Sequence, residues 1–197
     1  MHRNFVKSFF IAFLVLLGFV YLYIAIVRPF NLSPKSAKPE KPSETIDKVL
    51  AARFDYLSTH GNSSCSPSFQ KSILTMSDNA RLQGSCCSPM NYNRYSKQVE
   101  GLKKYQDIKE VPPDPYDVEA SLAKKLLVHY DDELTAEQQK AYDFAMQNSE
   151  EKGPCCCKCW RWYVYGGLAK VLIQKYHFTG QQVTEIWNLS DGCGGNS

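Results

Sequence analysis

The residues best suited to chemistry in this chain are its eight cysteines, four of which fall within residues 155–159. From Pro154 the segment reads Pro-Cys-Cys-Cys-Lys-Cys-Trp. Thiolates bind soft metal ions such as Cu(I) and Zn(II), and they also act as nucleophiles in disulfide exchange. Adjacent cysteines do not readily pair with each other, because consecutive Cα atoms lie ~3.8 Å apart whereas disulfides prefer ~4.4–6.8 Å. The spacing therefore indicates metal binding or pairing with distant cysteines.

The same segment is predicted to open a helix, with Pro154 at its start. Cys155 and Cys159 would then share one face of that helix. The positive end of the helix dipole and the neighbouring Lys158 and Arg161 should favour the thiolate form. The sequence thus predicts four metal ligands here: Cys155, Cys156, Cys157 and Cys159.

A second, smaller cysteine cluster precedes another predicted helix start, at Ser88 followed by proline. Its thiols belong to Cys86 and Cys87, which we expect to contribute to the same metal site. Cys65 and Cys193 supply the last two thiols. The glycines on both sides of Cys193 suit a flexible approach to the site and a fixed disulfide equally well, so these two are candidates for a disulfide or for extra ligands.

The choice of metal follows from the spacing. A zinc ribbon needs two C-x-x-C pairs, and only Cys156 and Cys159 form one; iron–sulfur spacings are absent. Dense thiols instead favour Cu(I), or Zn(II) with ligands from both clusters. Two alternatives stay open. All eight cysteines could form disulfides in a structural or interaction subunit of a membrane complex, or Cys156 and Cys159 could serve a thiol–disulfide oxidoreductase.

The rest of the sequence argues against two other classes of protein. The nucleophile-elbow, dinucleotide-binding, phosphate-loop and zinc-protease motifs are absent, so we expect a binding protein rather than an enzyme. The chain has 23 basic and 20 acidic side chains, a net charge of +3, and no basic block of five or more. A nucleic-acid partner is therefore not expected.

An uncharged, apolar run occupies residues 9–27. As a helix it would span ~28 Å, close to the ~30 Å hydrocarbon core of a bilayer. Because it exceeds the ~7–15 apolar residues of a signal peptide, we predict an uncleaved single-pass anchor within residues 1–30. The flanking charges are nearly balanced. A short tail and one anchor before a large domain usually export that domain, so we expect it to be extracytoplasmic.

Beyond the anchor, residues 31–42 are rich in proline and lysine and are predicted to form a flexible linker. Residues 43–197 should form one all-α domain of five to seven helices. Apolar spacing predicts one helix from Ser43, with Val49 on its apolar face, and another from Val118.

Several local patterns support the helical prediction. Thr135 and Thr179 are each followed three residues later by glutamine, which makes two capping boxes. Residues 156–176 should be largely helical, and Gly166 and Gly167 mark either a kink or a close helix contact. No alternating strand pattern is present in the sequence.

One stretch of the domain resembles a known family. Residues 142–159 contain Tyr-Asp-Phe-Ala, then Asn-Ser-Glu, then Pro-Cys-x-Cys-x-Cys. This resembles the central signature of the bacterial PCYCGC motif-containing proteins, which are small exported or lipid-anchored proteins. Cys156 stands where the family has tyrosine, and Lys158 and Trp160 stand where it has glycines. The resemblance implies an exported, membrane-attached cysteine-motif protein and no established reaction.

Overall fold

The computed structural model describes residues 44–195, which form a mostly helical domain with two short strands. Among these residues, no helix is long and apolar enough to cross a membrane. The predicted anchor, the linker and the Ser43 cap lie outside the described residues. The elements are α1 (Glu44–Thr59), α2 (Pro67–Ile73), β1 (Arg81–Gln83), α3 (Tyr92–Leu102), β2 (Asp117–Glu119), α4 (Ala120–Val128), α5 (Ala136–Asn148), α6 (Trp160–Tyr176) and α7 (Gly180–Ser190), with 3₁₀ turns at Lys103–Tyr105 and His129–Asp131.

The core is built around α6, a helix with buried residues on several faces. Trp160, Val164, Leu168 and Leu172 are all fully buried along it. Helices α4, α5 and α7 pack directly on α6, α3 packs on α7, and α1 packs on α3. A helix that is apolar around most of its circumference must be surrounded in this way. The amino-terminal end of α6 consequently lies where the surrounding loops meet.

The close contact between α4 and α6 depends on Gly167. A Cβ atom built at this position would lie 1.9 Å from the carbonyl oxygen of Leu126 in α4. Helix α6 nevertheless runs unbroken from Trp160 to Tyr176. Of the two alternatives for the glycine pair, the close helix contact is therefore the observed one.

Both predicted capping boxes are confirmed. The Thr135 hydroxyl accepts a hydrogen bond from the Gln138 backbone N–H, and the Gln138 side chain bonds back to the Thr135 backbone N–H. Thr179 and Gln182 repeat this arrangement at the start of α7. Each box satisfies backbone N–H groups that the first helical turn leaves without partners.

Two predicted helix starts are wrong. Helix α3 begins at Tyr92, capped by the Asn91 side chain, and not at Ser88. The Ser88 backbone N–H instead donates to the Cys193 carbonyl at 2.8 Å, which keeps this segment alongside the carboxyl-terminal loop. Likewise, residues 155–159 precede α6 rather than open it. Cys159 is the N-cap residue with extended backbone angles, so Cys155 and Cys159 do not share a helix face.

Three further features differ from the sequence predictions. Strands β1 and β2 pair antiparallel, with Leu82 opposite Val118, although the sequence indicated no strand. Three-residue strands are too short to display an alternating pattern. Val118 thus lies in β2, and α4 starts two residues later. In α1, Val49 is 65% exposed and lies off the buried face. Helix α2 was not predicted, although Ser66 caps it and proline is its first residue.

We expect Gly167→Ala to lower the free energy of unfolding by about 3 kcal/mol or more, because the added methyl group would meet backbone that cannot move without separating α4 from α6. Urea denaturation measures this change. Gly101→Ala in α3 is the matched control, since a Cβ there meets only the side chain of Leu189, which can change rotamer. An equal loss in both variants would contradict the assignment of the close contact to Gly167.

Candidate metal centre

All eight cysteines lie together at the amino-terminal end of α6. Four separate segments bring them there: the loop after α1, the loop after β1, residues 155–159, and the segment after α7. Every predicted site residue is in this cluster. In chain order they are Cys65, Cys86, Cys87, Cys155, Cys156, Cys157, Cys159 and Cys193.

One set of thiols lies deep in the domain. The Sγ atom of Cys155 is 3.1 Å from that of Cys193 and 3.6 Å from that of Cys159. Cys86 joins this set, with its Sγ atom 4.0 Å from that of Cys159. We call these four residues the inner thiols.

The remaining four thiols form a second set nearer the surface. The Sγ atom of Cys65 lies 2.8 Å from that of Cys87 and 3.6 Å from that of Cys157. The Sγ atom of Cys87 is also 3.7 Å from that of Cys156 and 3.8 Å from that of Cys157. We call these four residues the outer thiols.

The sets are not separate, since the Sγ atom of Cys65 lies within 4.8 Å of those of Cys86 and Cys159, and two sulfur–sulfur contacts between the sets are shorter than 4.0 Å. Cys86 and Cys87 have their Sγ atoms 3.7 Å apart, and those of Cys156 and Cys193 are 2.9 Å apart. With these contacts included, each of the eight Sγ atoms has at least two others within 4.0 Å. The thiols therefore form one continuous cluster rather than a set of separate pairs.

Backbone hydrogen bonds hold the carboxyl-terminal segment against the loop after β1. The Cys86 N–H donates to the Gly192 carbonyl at 3.2 Å, two residues before the Ser88 bond to Cys193 described above. These bonds align the two segments alongside each other. They fix Cys193 close to the inner thiols even though it lies in a segment without regular secondary structure.

A buried carboxylate reinforces this arrangement. One oxygen of Asp191 accepts the Cys193 backbone N–H at 3.0 Å, and the other pairs with the Arg94 guanidinium from α3. The Gln98 amide, also in α3, donates to the Asp191 carbonyl at 2.7 Å. Helix α3 thus positions the loop that carries Cys193. The Asp191 carboxylate also lies within 4.8 Å of the Sγ atoms of Cys155 and Cys193.

The loop that carries Cys65 is fixed from two sides. The N–H groups of Asn62 and Ser63 both donate to the Gln83 carbonyl at the end of β1. The indole N–H of Trp160, in the first turn of α6, donates to the Ser63 hydroxyl at 2.9 Å. Trp160 therefore combines a core position with a direct role in placing the Cys65 loop.

Arg161 places a positive charge beneath the cluster. Its side chain is fully buried and donates to the carbonyls of Pro115, at 2.5 Å, and Gly84, at 3.0 Å. Its Nε has no hydrogen-bond partner among the described residues. Gly192 lies flat against the guanidinium, since a Cβ at that position would be 2.2 Å from the guanidinium carbon.

The charge of Arg161 is coupled to the thiols. Burial alone would lower the pKa of Arg161, yet this pKa is raised, because the ionisable side chains of Tyr165, Cys86 and Cys155 lie close to its guanidinium. Of these three, Cys86 is the one whose own pKa is lowered. The converse also holds, since the guanidinium favours the thiolate of Cys86. A buried cation of this kind is expected beside an anionic site.

The inner thiols differ in acidity because they share protons. Hydrogen bonds from Cys155 and Cys159 lower the pKa of Cys86 to about 6, and bonds from Cys155 and Cys86 lower that of Cys193 to about 7. The pKa of Cys155 is raised, because its bonds to Cys159 and Cys193 favour its protonated form. Two thiols in the cluster are thus readily ionised near neutral pH.

The structure also bears on the C-x-x-C pair of the redox hypothesis. Cys156 has the thiols of Cys87 and Cys193 as its neighbours within 4.0 Å, whereas Cys159 has those of Cys86 and Cys155. The two sulfurs of the motif therefore contact different neighbouring thiols.

The sequence did not predict a role for Asp191 or its pairing with Arg94. The one sign in the sequence that Asp191 could belong to the site was its position two residues before Cys193.

We expect the free energy of unfolding of the reduced, metal-free protein to rise between about pH 6 and about pH 8. An unfolded cysteine has a pKa of ~8.5, so over this interval the unfolded chain binds more protons at Cys86 and Cys193 than the folded chain does. The stabilisation that ionised Cys86 and Cys193 give the folded protein is lost as the pH falls through their folded-state pKa values of about 6 and about 7. Urea denaturation at several pH values, under anaerobic and reducing conditions, measures the free energy of unfolding.

The double variant Cys86→Ser, Cys193→Ser is the control for this measurement. It should show a smaller rise over the same pH interval, because serine does not ionise there. An identical pH dependence in the variant would show that other groups are responsible.

Comparisons of this chain with models of protein families, with curated proteins and with solved structures found no match in any of the three. The resemblance to the PCYCGC motif-containing proteins therefore stays a prediction from residues 142–159. The conclusion about the site rests on its geometry: a compact cluster of cysteines, close enough together to bind metal or to form disulfides.

Proposed function

We propose that this chain is a membrane-anchored protein whose extracytoplasmic domain binds a soft metal ion, Cu(I) or Zn(II), for storage, delivery or sensing. One observation carries the proposal: each of the eight sulfurs has at least two others within 4.0 Å.

The number of neighbours matters because disulfides and metals use sulfur differently. A disulfide joins one sulfur to one other, so a domain held only by disulfides contains separate pairs. A metal ion gathers several thiolates around itself. Four sulfurs bound at ~2.3 Å from a tetrahedral Zn(II) ion lie ~3.8 Å from one another. Many of the Sγ separations in the cluster, such as 3.7 Å between Cys87 and Cys156, are close to this value.

The donor set supports a soft ion in particular. Within residues 44–195, the groups close enough to share a metal consist of cysteines and Asp191. Thiolates select Cu(I) and Zn(II), whereas Mg²⁺ and Ca²⁺ require oxygen ligands. Binding replaces thiol protons by metal and leaves an anionic site. The buried Arg161 charge and the amino terminus of α6 both stabilise such a site.

The membrane part of the proposal is supported by the sequence alone. The apolar run at residues 9–27 is long enough to cross a bilayer, and the linker at residues 31–42 would separate the bilayer from the domain. The resemblance to exported, membrane-attached proteins agrees with this orientation. A membrane-protein partner that receives or supplies the metal would be consistent with both.

A disulfide-bonded interaction module is the second candidate, and two distances favour it. The separations of 2.8 Å between the sulfurs of Cys65 and Cys87, and of 2.9 Å between those of Cys156 and Cys193, are shorter than the spacing around a tetrahedral ion. Oxidation of these two pairs would need little movement. It would leave the four other thiols to pair among themselves.

The two candidates are separated by counting metal ions and free thiols in the full-length chain, purified in detergent from its own compartment. We expect native mass spectrometry to show bound Cu or Zn, with about one proton lost per thiolate bound. Acid treatment should release the metal, and eight free thiols should then be titratable. A chain with all eight cysteines in disulfides and no bound metal would contradict the proposal and establish the disulfide-bonded module.

We also expect the full-length chain to remain with membranes after alkaline extraction. The double variant Leu16→Arg, Leu17→Arg should appear in the soluble fraction, because each arginine at the centre of a bilayer costs about 2.5–3.5 kcal/mol. The double variant Leu16→Ile, Leu17→Ile is the matched control and should stay with the membranes. Extraction of the unmodified chain into the soluble fraction would rule out the anchor.

A further inference from the structure

The eight thiols differ sharply in their exposure to solvent. Three of the inner thiols are almost completely buried, with Cys155 1%, Cys159 2% and Cys193 5% exposed, and Cys86 is half-buried. Among the outer thiols, Cys87 and Cys156 are exposed and the other two are half-buried. The cluster therefore has a deep part and a surface part.

The thiols are also too many for one ion. A tetrahedral Zn(II) ion is saturated by four thiolates, so a single ion would leave four of the eight cysteines without a ligand role. The inner and outer sets each contain four. Within each set, every sulfur lies within 4.0 Å of at least one other member.

From these observations we infer that the cluster holds at least two metal ions: one retained by the inner thiols, and one that the outer thiols exchange with other molecules. This inference rests on the proposed function, since it assumes that the cluster binds metal. Beyond the proposed function, it specifies the number of ions and assigns retention to the inner thiols and exchange to the outer thiols.

The charges around the inner set fit an ion that is retained. A Zn(II) ion with four thiolates carries a net charge of −2, which is costly in a buried site without compensation. The buried guanidinium of Arg161 supplies a positive charge there: it donates to the Gly84 carbonyl, two residues before Cys86, and lies against Gly192, the residue before Cys193. Because Cys155 and Cys159 are buried, competing ligands from solvent have little access to a metal bound there.

The exposure of the outer set fits an ion that exchanges. Transfer to a thiol-bearing acceptor proceeds by ligand substitution: a new metal–sulfur bond forms with the acceptor thiolate, and a bond to Cys87 or Cys156 breaks. The released thiolate takes up a proton, so the step needs no oxidant or reductant. Only an exposed ligand allows the acceptor to approach the metal.

The two sets are joined where a metal could pass between them. The outer thiols Cys87 and Cys156 make sulfur–sulfur contacts of 3.7 and 2.9 Å with the inner thiols Cys86 and Cys193 respectively. The Sγ atom of Cys65 also lies within 4.8 Å of those of Cys86 and Cys159. Loading of the inner set would proceed through the outer thiols, with the exposed Cys87 and Cys156 as the point of entry.

Chelator competition on the full-length, reduced chain loaded with Zn(II) tests this inference. We expect native mass spectrometry to show two ions per chain. An excess of a chromogenic chelator should remove them in two phases of equal amplitude, with the second phase slower by about tenfold or more.

Two double variants assign the phases. Cys87→Ser with Cys156→Ser should bind one ion, which leaves in the slow phase. Cys155→Ser with Cys159→Ser should lose the slow phase. Because Cys155 and Cys159 are buried, that second variant could fail to fold, which circular dichroism would reveal. The first variant, altered only at exposed positions, decides the question by itself.

The outcomes separate the two claims. Binding of neither Zn(II) nor Cu(I) by the reduced chain would overturn the proposed function and this inference together. Binding of one Zn(II) ion per chain, release of both ions in a single phase, or loss of both ions from the variant at positions 87 and 156 would overturn this inference alone. The proposed function would stand in those three cases.

Discussion

The architecture depends on a buried positive charge, that of Arg161 in the first turn of α6. Its guanidinium donates hydrogen bonds to the carbonyls of Gly84 and Pro115, packs against Gly192 and, together with hydrogen bonds from Cys155 and Cys159, lowers the pKa of the nearby Cys86 thiol. A buried cation is costly unless nearby negative charge compensates it. The segments that carry Cys86 and Cys193 therefore pack against a group that, together with the amino terminus of α6, favours ionised thiols. Under the proposed function, metal binding would be linked to folding of this end of the domain, because both bring the same segments together.

The parts of the fold that could be predicted from the sequence are those set by short-range interactions. The capping boxes at Thr135 and Thr179 involve residues three positions apart, so the sequence contained all the needed information. Gly166 and Gly167 could be recognised as a kink or a close contact, but the choice between the two, and the partner in α4, depend on residues far away in the sequence. The helix predicted at Ser88 failed because its backbone bonds a residue more than a hundred positions away. Strands β1 and β2 were not predicted because each has only three residues, too few for an alternating pattern to be recognised.

In the candidate site, too, the features set by neighbouring residues could be predicted, and those set by distant contacts could not. Clustering in the sequence was enough to select residues 155–159 and the pair Cys86 and Cys87, and all of them lie in one cluster. The sequence could not show that Cys65 and Cys193 join them. That depends on contacts such as the pairing of Arg94 with Asp191, which lie 97 positions apart. The helical arrangement predicted for the cysteines was wrong because Cys159 ends the loop rather than continuing the helix.

The position of Cys193 has a consequence for biosynthesis. It is the last of the eight cysteines to be made, 34 residues after Cys159. It is held in place by Arg94 of α3 and by the loop after β1, both of which are synthesised much earlier. During translation, the seven earlier cysteines are made before Cys193, whose thiol contacts those of both Cys155 and Cys156. For that interval the incomplete cluster is open to oxidation and to incorrect pairing. A reducing partner or an early-bound metal ion that protects these thiols would determine how much of the protein matures correctly.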